Sequence, residues 1–353
     1  MIRELRGNLL SDDADALVNT VNTVGVMGKG IALQFKRAYP DMFKNYAREA
    51  KNGRLETGRM HVWETSGLTG PRFIINFPTK RHWKGGSRIE DIGAGLDDLV
   101  RVVQEHGITS VAVPPLGCGN GGLDWADVAP LMHAALQPLA TTVDIRLYVP
   151  AGAPAASDMV NRETAPALTP TRAALLRLMN AYREVAWEWP GLVDTQKLAY
   201  FLQEAGEPLR LTFVKGPYGP YADDLRKTLR QMGGHFITGF GDGSARPWDA
   251  EPLQVMDESR EALSDVVASS PETAARTVRV LELVSGFEGT YDIELLASVH
   301  WAAVHADART PDEASRVIRL WTKRKAELFS SAHVGTAWNA LMRHGWICEA
   351  AVV

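Results

Sequence analysis

The first 150 residues alternate between short apolar runs and amphipathic stretches, and this alternation constrains the fold more than any other feature of the chain. The short runs are rich in β-branched residues, as in strands buried on both faces of a sheet. They cover residues 16–20, 60–64, 73–76, 110–114 and 143–149. The amphipathic stretches, predicted as helices, cover residues 31–38, 42–51, 92–106 and 125–136. Strand–helix alternation predicts an α/β domain with three α/β/α layers.

A change of composition predicts where this domain ends. Residues 149–171 are rich in alanine, proline and serine and show no sustained period, which is typical of a linker. Since 353 residues exceed one typical core, we expect a first domain at 1–155, a linker at 156–171 and a mainly α-helical domain at 172–353. Its predicted helices are 172–187, 195–204, 221–232, 273–284, 293–304 and 314–321, with short strands at 209–214 and 236–240. Asp194 and Pro311 are placed at helix starts, and the basic run 323–325 is predicted as a solvated helix turn.

Charge and cysteine content exclude several classes of protein. The chain has 38 basic and 42 acidic residues, which argues against a nucleic-acid coat or a basic membrane anchor. The net charge is +1 over residues 1–155 and −5 over 156–353. Cys118 and Cys348 are too few and too far apart for a disulfide framework or a zinc cluster. With no apolar run of 18 residues and no apolar leader, we expect a cytoplasmic protein that does not bind membranes.

Two glycine-rich segments each follow a predicted strand directly. One is VNTVNTVGVMGKG at 18–30, just before a predicted helix, and the other is PPLGCGNGG at 114–122. Glycine lets a backbone come close to a ligand, and free N–H groups near a helix start bind anions. Since open α/β sheets bind ligands at the carboxyl ends of their strands, the segments predict a clamp for a phosphate-bearing ligand; the alternative is two tight turns. Neither segment satisfies the Walker pattern or the full Rossmann pattern.

With two further motifs, these segments resemble the macrodomain family, which binds ADP-ribose. The motifs are VNTVN at 18–22, MGKGIA at 27–32, INFPTK at 75–80 and PPLGCGNGGLDW at 114–125. They are most similar to the DarG branch, antitoxins that remove the ADP-ribose that a DarT toxin attaches to thymidine in DNA. The terminal ADP-ribose glycohydrolases are more distant. The resemblance covers residues 1–150 and implies a mixed sheet, an N-glycosyl hydrolase, ADP-ribosylated single-stranded DNA as substrate and ADP-ribose as product ligand. No cofactor or metal is implied.

The same resemblance implies the residues of the site. Lys80, which ends INFPTK, and Asn22 match catalytic positions of the branch. The ligand-binding positions are Asn8, Leu9, Gly28, Lys29, Gly30, Ile31, Gly117, Cys118, Gly119, Asn120 and Gly121. Asn8 stands where the family has an aspartate. The second glycine segment lacks the aspartate that the terminal glycohydrolases pair with their lysine, and Asp124, the next carboxylate, is predicted to cap the following helix.

In the second half, QKLAYF at 196–201 and VKGPYGPY at 214–221 resemble the helical Panacea or SocA-like domain of antitoxins. This implies that the second domain binds a DarT-type toxin, and its net charge of −5 suits a basic partner. The resulting hypothesis is an antitoxin that both hydrolyses the DNA modification and binds the toxin. The alternative is a non-catalytic ADP-ribose reader that recruits other proteins; Lys80 discriminates between the two, because a reader has no need of it.

Residues next to Lys80 carry a separate signal. Arg81, Trp83 and Lys84 combine two cations with an aromatic ring, as in proteins that stack nucleobases and contact phosphates. We predict DNA contact here, with a solvated loop as the alternative. Cys118 at a predicted helix start is a nucleophile by one interpretation and a small buried loop residue by the other, which we favour.

Overall fold

The computed structural model describes residues 1–67, 69–257, 259, 263 and 270–348. The chain forms two compact units, one of Met1–Thr164 with Gly241–Ser244 and one of Ala165–Phe240 with Ala245–Val353. Within the stretch predicted as a linker, Ala156–Asp158 is a single 3-10 turn, and a helix begins at Pro170. None of the helices in the described ranges combines the length and the apolarity needed to span a membrane.

A six-stranded mixed sheet organises the first unit. Its strands are Ile2–Leu5 (β1), Ala16–Asn22 (β2), His61–Glu64 (β3), Phe73–Lys80 (β4), Ser110–Val113 (β5) and Asp144–Tyr148 (β6). Their order is β1-β6-β5-β2-β4-β3, and every neighbouring pair is parallel except β3 with β4. All five predicted strands are confirmed. The sequence missed β1, and it ended β4 four residues too early, at Asn76 rather than Lys80.

Helices cover both faces of this sheet, which confirms the three-layer prediction. They are Gly30–Ala38 (α1), Pro40–Lys51 (α2), Ile89–Glu105 (α3) and Trp125–Leu136 (α4). Strand β2 alternates its side chains between two cores. Ala16 and Val18 lie in the core that holds side chains of α3 and α4, whereas Leu17 and Val21 lie in the core that holds side chains of α1 and α2.

The second unit is mainly helical, as predicted. The helices in its described residues are Pro170–Ala186 (α5), Leu192–Glu204 (α6), Asp223–Met232 (α7), Pro271–Val284 (α8), Thr290–His305 (α9), Pro311–Trp321 (α10), Lys323–Leu328 (α11) and Ser331–Arg343 (α12). Two small antiparallel pairs join Val214–Gly216 with Gly219–Tyr221 and Ile237–Thr238 with Gln254–Val255. The strand predicted at 236–240 is confirmed only at its centre, Ile237–Thr238, whereas the strand predicted at 209–214 is wrong except for its last residue.

Three finer predictions for this unit concern Asp194, Pro311 and the basic run 323–325. Pro311 begins its helix, as predicted. Asp194 does cap a helix, but from its third position, where its carboxylate accepts from the backbone N–H of Gly191 at 2.8 Å. The basic run is only partly solvated: Lys323 is exposed, whereas Lys325 is fully buried and contacts Glu294 at 2.5 Å.

Candidate active site

The carboxyl ends of β2 and β4 bring the two predicted catalytic residues side by side. The parallel ladder runs from Ala16↔Phe73 to Val21↔Pro78 and then shifts, so that Asn22 faces Lys80. The shift leaves Thr79 as an extra residue on β4, and its hydroxyl lies 3.4 Å from the backbone oxygen of Val21. Bulges of this kind re-aim side chains at strand ends next to sites.

The two glycine segments also lie against each other. Gly30, the first residue of α1, has a φ of +64°, and a Cβ there would lie 2.7 Å from Nδ2 of Asn120 in the second segment. A side chain at Gly121 would clash with the carbonyl oxygen of Gly117 and with Ser87. Glycine is therefore favoured at Gly30 by its positive φ and required at Gly121 by the close approach of the backbone. The two segments, about 90 residues apart in the sequence, are therefore adjacent in the structure.

Lys80 connects β4 to the second glycine segment. Its Nζ donates to the backbone oxygen of Asn120, and its own backbone oxygen accepts from the N–H of Thr23 at 3.0 Å. The side chain is half-buried, and this burial lowers the pKa of Lys80 below its usual value. Desolvation disfavours the charged form, so the site raises the share of neutral amine.

The side chain of Asn22 is engaged by its own turn. Its Oδ1 accepts from the N–H groups of Val24 and Val26 at 3.1 and 3.2 Å, and its Nδ2 donates to the oxygen of Val26 at 2.5 Å. Tyr46 of α2, which is fully buried, donates its hydroxyl to the backbone oxygen of Asn22. Asn22 thus holds the turn at residues 22–26, inside the first glycine segment.

Asp124 behaves as the sequence predicted, whereas Cys118, favoured as a buried loop residue, is only partly buried. The carboxylate of Asp124 accepts from the N–H of Ala126 at 2.9 Å and caps α4. Burial, with a further contribution from Asp124, raises the pKa of the Cys118 thiol to about 11. At neutral pH this cysteine is a thiol rather than a thiolate, which is unsuited to nucleophilic attack. In the described part of the chain, no cluster of three or more His, Cys, Asp or Glu side chains is arranged to hold a metal ion.

The remaining predicted ligand positions lie around the first glycine segment and β1. Asn8 caps the 3-10 turn Leu9–Ser11 by accepting from the N–H of Leu10 at 3.1 Å, and Leu9 is buried in the core. Gly28, Lys29 and Ile31 flank Gly30, with Lys29 at the N-cap position of α1. The N–H of Gly30 donates to the backbone oxygen of Asp242 at 3.0 Å, within the same unit.

Sequence reasoning missed three residues of this site. Tyr46 occupies an ordinary core position of an amphipathic helix, and nothing in the pattern separates it from its neighbours. Thr23 fixes the Lys80 and Arg81 backbones, with its hydroxyl 2.7 Å from the oxygen of Arg81. Asp242 lies more than 200 residues away, and its carboxylate accepts from Nε2 of Gln34 at 2.9 Å. Of these three residues, only Thr23 lies inside one of the sequence motifs, so only Thr23 could have been identified from the sequence.

Comparison with known proteins identifies the family. The Macro domain family model matches residues 18–132. The "DNA ADP-ribosyl glycohydrolase" of Mycobacterium tuberculosis is 44% identical over 97% of this chain and 99% of its own. The protein of the same name from Thermus aquaticus is 44% identical over 98% of this chain and 94% of its own. A solved structure, "Macrodomain of Mycobacterium tuberculosis DarG", is 56% identical, covers 43% of this chain and 99% of its own, and has a TM-score of 0.42. The chain, with a macrodomain as its first unit, therefore belongs to the DNA ADP-ribosyl glycohydrolase family, and the resemblance predicted from its motifs is confirmed.

Proposed function

We propose that this chain is an antitoxin that hydrolyses the N-glycosidic bond between ADP-ribose and thymidine in DNA, and so reverses the modification made by a DarT-type toxin. The observation that carries the proposal is Lys80, whose amine lies at the junction of β2, β4 and the second glycine segment. In the reaction the bond from ribose C1″ to the base nitrogen breaks. Water supplies the hydroxyl to C1″ and the proton to the base nitrogen. Single-stranded DNA carrying intact thymidine and free ADP-ribose are the products.

The two glycine segments bind the pyrophosphate of ADP-ribose in this proposal. Backbone N–H groups of residues 28–31 and 117–121 supply donors that do not depend on side chains, apart from those of Gly30 and Cys118, which donate to the backbone oxygens of Asp242 and Pro115. The start of α1 adds a partial positive charge. Asn8 accepts from the adenine amino group, next to Leu9. Its Oδ1 already accepts from Leu10 at 3.1 Å, but an amide oxygen has a second lone pair.

Lys80 acts on the scissile bond in one of two ways. As a neutral amine it attacks C1″ while the bond to the base nitrogen breaks, and water then hydrolyses the bond between Lys80 and C1″. As a cation it polarises the base carbonyl and stabilises the leaving group while water attacks C1″. Burial, which lowers the pKa of Lys80, favours the first role by increasing the neutral fraction. Asn22 contributes by position: it holds the turn whose Thr23 N–H anchors the Lys80 backbone.

The test compares Lys80→Ala with wild type on a single-stranded oligonucleotide that carries one ADP-ribosylated thymidine. Loss of a group that acts mainly in the transition state lowers the rate and spares binding. We expect release of ADP-ribose to fall at least about 100-fold, the usual scale for a positioned acid–base or charged group, with ADP-ribose affinity within a few-fold of wild type. Lys44→Ala is the matched control, because Lys44 is an exposed lysine of the same unit paired with Asp41.

Two outcomes would contradict this proposal. A Lys80→Ala protein that turns over at the wild-type rate removes the lysine from the mechanism. A wild-type protein that binds ADP-ribose but releases none from the oligonucleotide supports the reader instead.

We infer a second task for the helical unit, which is binding of the toxin itself. Its own core is built around Tyr200, Phe201 and Leu296, and the half of the chain that contains it carries the net charge of −5. A toxin that grips DNA presents a basic surface, to which an acidic partner is complementary. The inactive Lys80→Ala variant separates binding from hydrolysis: in the full chain it should bind toxin as wild type does, and the affinity should weaken as salt rises. Titration of toxin at several salt concentrations measures this; affinity that ignores salt would reject the charge-based account.

A further inference from the structure

A short loop beside Lys80 is fixed to both sides of the site. At its start, the backbone oxygen of Arg81 accepts from the Thr23 hydroxyl at 2.7 Å. At its end, the N–H of Ser87 donates to the backbone oxygen of Gly121 at 2.9 Å. We call residues 81–87 the site-flanking loop. Since it is attached to the turn after β2 and to the second glycine segment, whatever it binds lies next to the reacting group.

This loop presents an aromatic ring to solvent. Trp83 is 50% exposed, although it lies three residues after the end of a buried strand. His82 stacks on it with ring centroids 5.5 Å apart and an interplanar angle of 28°. The N–H of Lys84 donates to Nδ1 of His82 at 3.2 Å, and the N–H of Gly85 donates to its backbone oxygen at 3.0 Å. These local hydrogen bonds hold His82, whose ring stacks on Trp83, while about half of the Trp83 side chain stays exposed to solvent.

The charge around Trp83 is the opposite of that of the chain as a whole. Residues 81–88, RHWKGGSR, contain three cationic side chains and no carboxylate, whereas the chain carries a net charge of −4. Arg81 pairs with Asp91 at 3.4 Å. The ammonium of the exposed Lys84 lies 5.0 Å from the centroid of the Trp83 ring. Because the aliphatic part of the lysine side chain is flexible, this ammonium can leave the indole and contact a phosphate group nearby.

We propose that Trp83 and Lys84 bind the nucleotide adjacent to the ADP-ribosylated thymidine, with the indole stacked on the neighbouring base and the ammonium on its phosphate. The proposal rests on the proposed function and adds a second recognition element to it. Stacking on an aromatic ring tolerates any base and requires that base to be free of a duplex. The site-flanking loop therefore selects single-stranded DNA over both duplex DNA and the isolated modified nucleoside.

The experiment compares two substrates in the full-length protein. One is a single-stranded oligonucleotide with one ADP-ribosylated thymidine, and the other is the ADP-ribosylated thymidine nucleoside. Trp83→Ala should lower kcat/KM for the oligonucleotide, relative to that for the nucleoside, by about 5- to 150-fold, the range expected for loss of one stacked base. The change should lie in KM, and Trp83→Phe should restore most of it. Lys84→Ala should reduce the dependence of oligonucleotide binding on salt by about one phosphate contact.

Trp248→Ala is the matched control. Trp248 belongs to the helical unit and is 48% exposed, almost the same as Trp83, and it contacts Tyr218 at a centroid distance of 5.3 Å. Loss of the Trp248 side chain should leave the ratio of kcat/KM between the two substrates unchanged.

The outcomes separate this proposal from the proposed function. If Trp83→Ala lowers kcat/KM equally for both substrates, Trp83 supports the site structurally and the stacking proposal is overturned. If neither substrate is affected while wild type cleaves both, the proposal is overturned and the proposed function stands. If wild type releases ADP-ribose from neither substrate, the proposed function fails, and the stacking proposal fails with it.

Discussion

The second glycine segment offers a substitution that we expect to weaken ADP-ribose binding without disturbing the fold. A Cβ built at Gly119 meets no atom within 4 Å, and the backbone there is outside the left-handed region. Two residues further, a Cβ at Gly121 would clash with the Gly117 carbonyl oxygen. Gly119→Val therefore adds a branched side chain to open space in front of the segment, whereas Gly121→Ala forces the segment itself to move.

The expected magnitudes differ between folding and binding. A substitution that touches no structural contact changes the free energy of unfolding by about 0.5 kcal/mol or less. If the valine of Gly119→Val keeps one phosphate oxygen from a backbone N–H, a charge-assisted hydrogen bond of about 1.5–3 kcal/mol is lost. This corresponds to a weakening of ADP-ribose binding by about 10- to 150-fold. For Gly121→Ala, overpacking costs about 1–3 kcal/mol of folding free energy as well.

Titration calorimetry with ADP-ribose and urea unfolding, both on the full chain, test these values together. Gly335→Val is the matched control, because Gly335 lies in α12 of the other unit and a Cβ there also meets nothing within 4 Å. Gly119→Val should unfold like wild type and bind weakly. If it binds ADP-ribose with wild-type affinity, the pyrophosphate does not lie against this segment and the two-segment clamp is wrong.

Three further predictions concern buried polar groups. Glu294→Ala leaves the fully buried Lys325 without its carboxylate, so urea unfolding should show a loss of about 3–5 kcal/mol. Burial lowers the pKa of His300 to about 3, so the stability that its neutral form provides is complete above pH 6.5 and is lost as pH falls towards 3. Between pH 7 and pH 5, the free energy of unfolding of wild type should therefore fall by about 2 kcal/mol more than that of His300→Gln. Urea unfolding at both pH values measures this difference. Tyr46→Phe removes the hydroxyl that donates to Asn22, and should cost about 1 kcal/mol in the same assay and slow single-turnover release of ADP-ribose.

The fold could be predicted where burial dominates the pattern. The central strands are apolar on both faces, so short β-branched runs identified each of them. Strand β1 was missed because it pairs only with β6 at the edge of the sheet and exposes Arg3 and Glu4, which interrupt the apolar pattern. Lys325 was misplaced for the opposite reason: its charge predicts exposure, and its burial is made tolerable by Glu294 and Ser298, which are 31 and 27 residues away.

Some residues of the site could likewise be predicted from the sequence, and others could not. The two glycine segments could be predicted from the residues themselves, because close backbone approach restricts the residue type wherever it occurs. Lys80 was implied by the family resemblance of the motif INFPTK. The motif VNTVN implied Asn22 in the same way, but it did not show that the Asn22 amide is bound within its own turn. Tyr46 and Asp242 act through hydrogen bonds set by tertiary packing, and such contacts leave no period or spacing in a sequence.

Proline at position 78 is the one local signal of how Lys80 is aimed. Strand β4 lies between β2 and β3, and a proline in an interior strand is normally confined to a bulge, because it lacks the N–H that the ladder needs. The register shifts directly after the pair Val21↔Pro78, and Thr79 becomes the extra residue. In an unshifted ladder Asn22 would face Thr79, and Lys80 would lie one step beyond the end of β2. The irregularity instead sets Lys80 opposite Asn22, where its amine reaches Asn120, so the geometry of the site begins with a proline inside a buried strand.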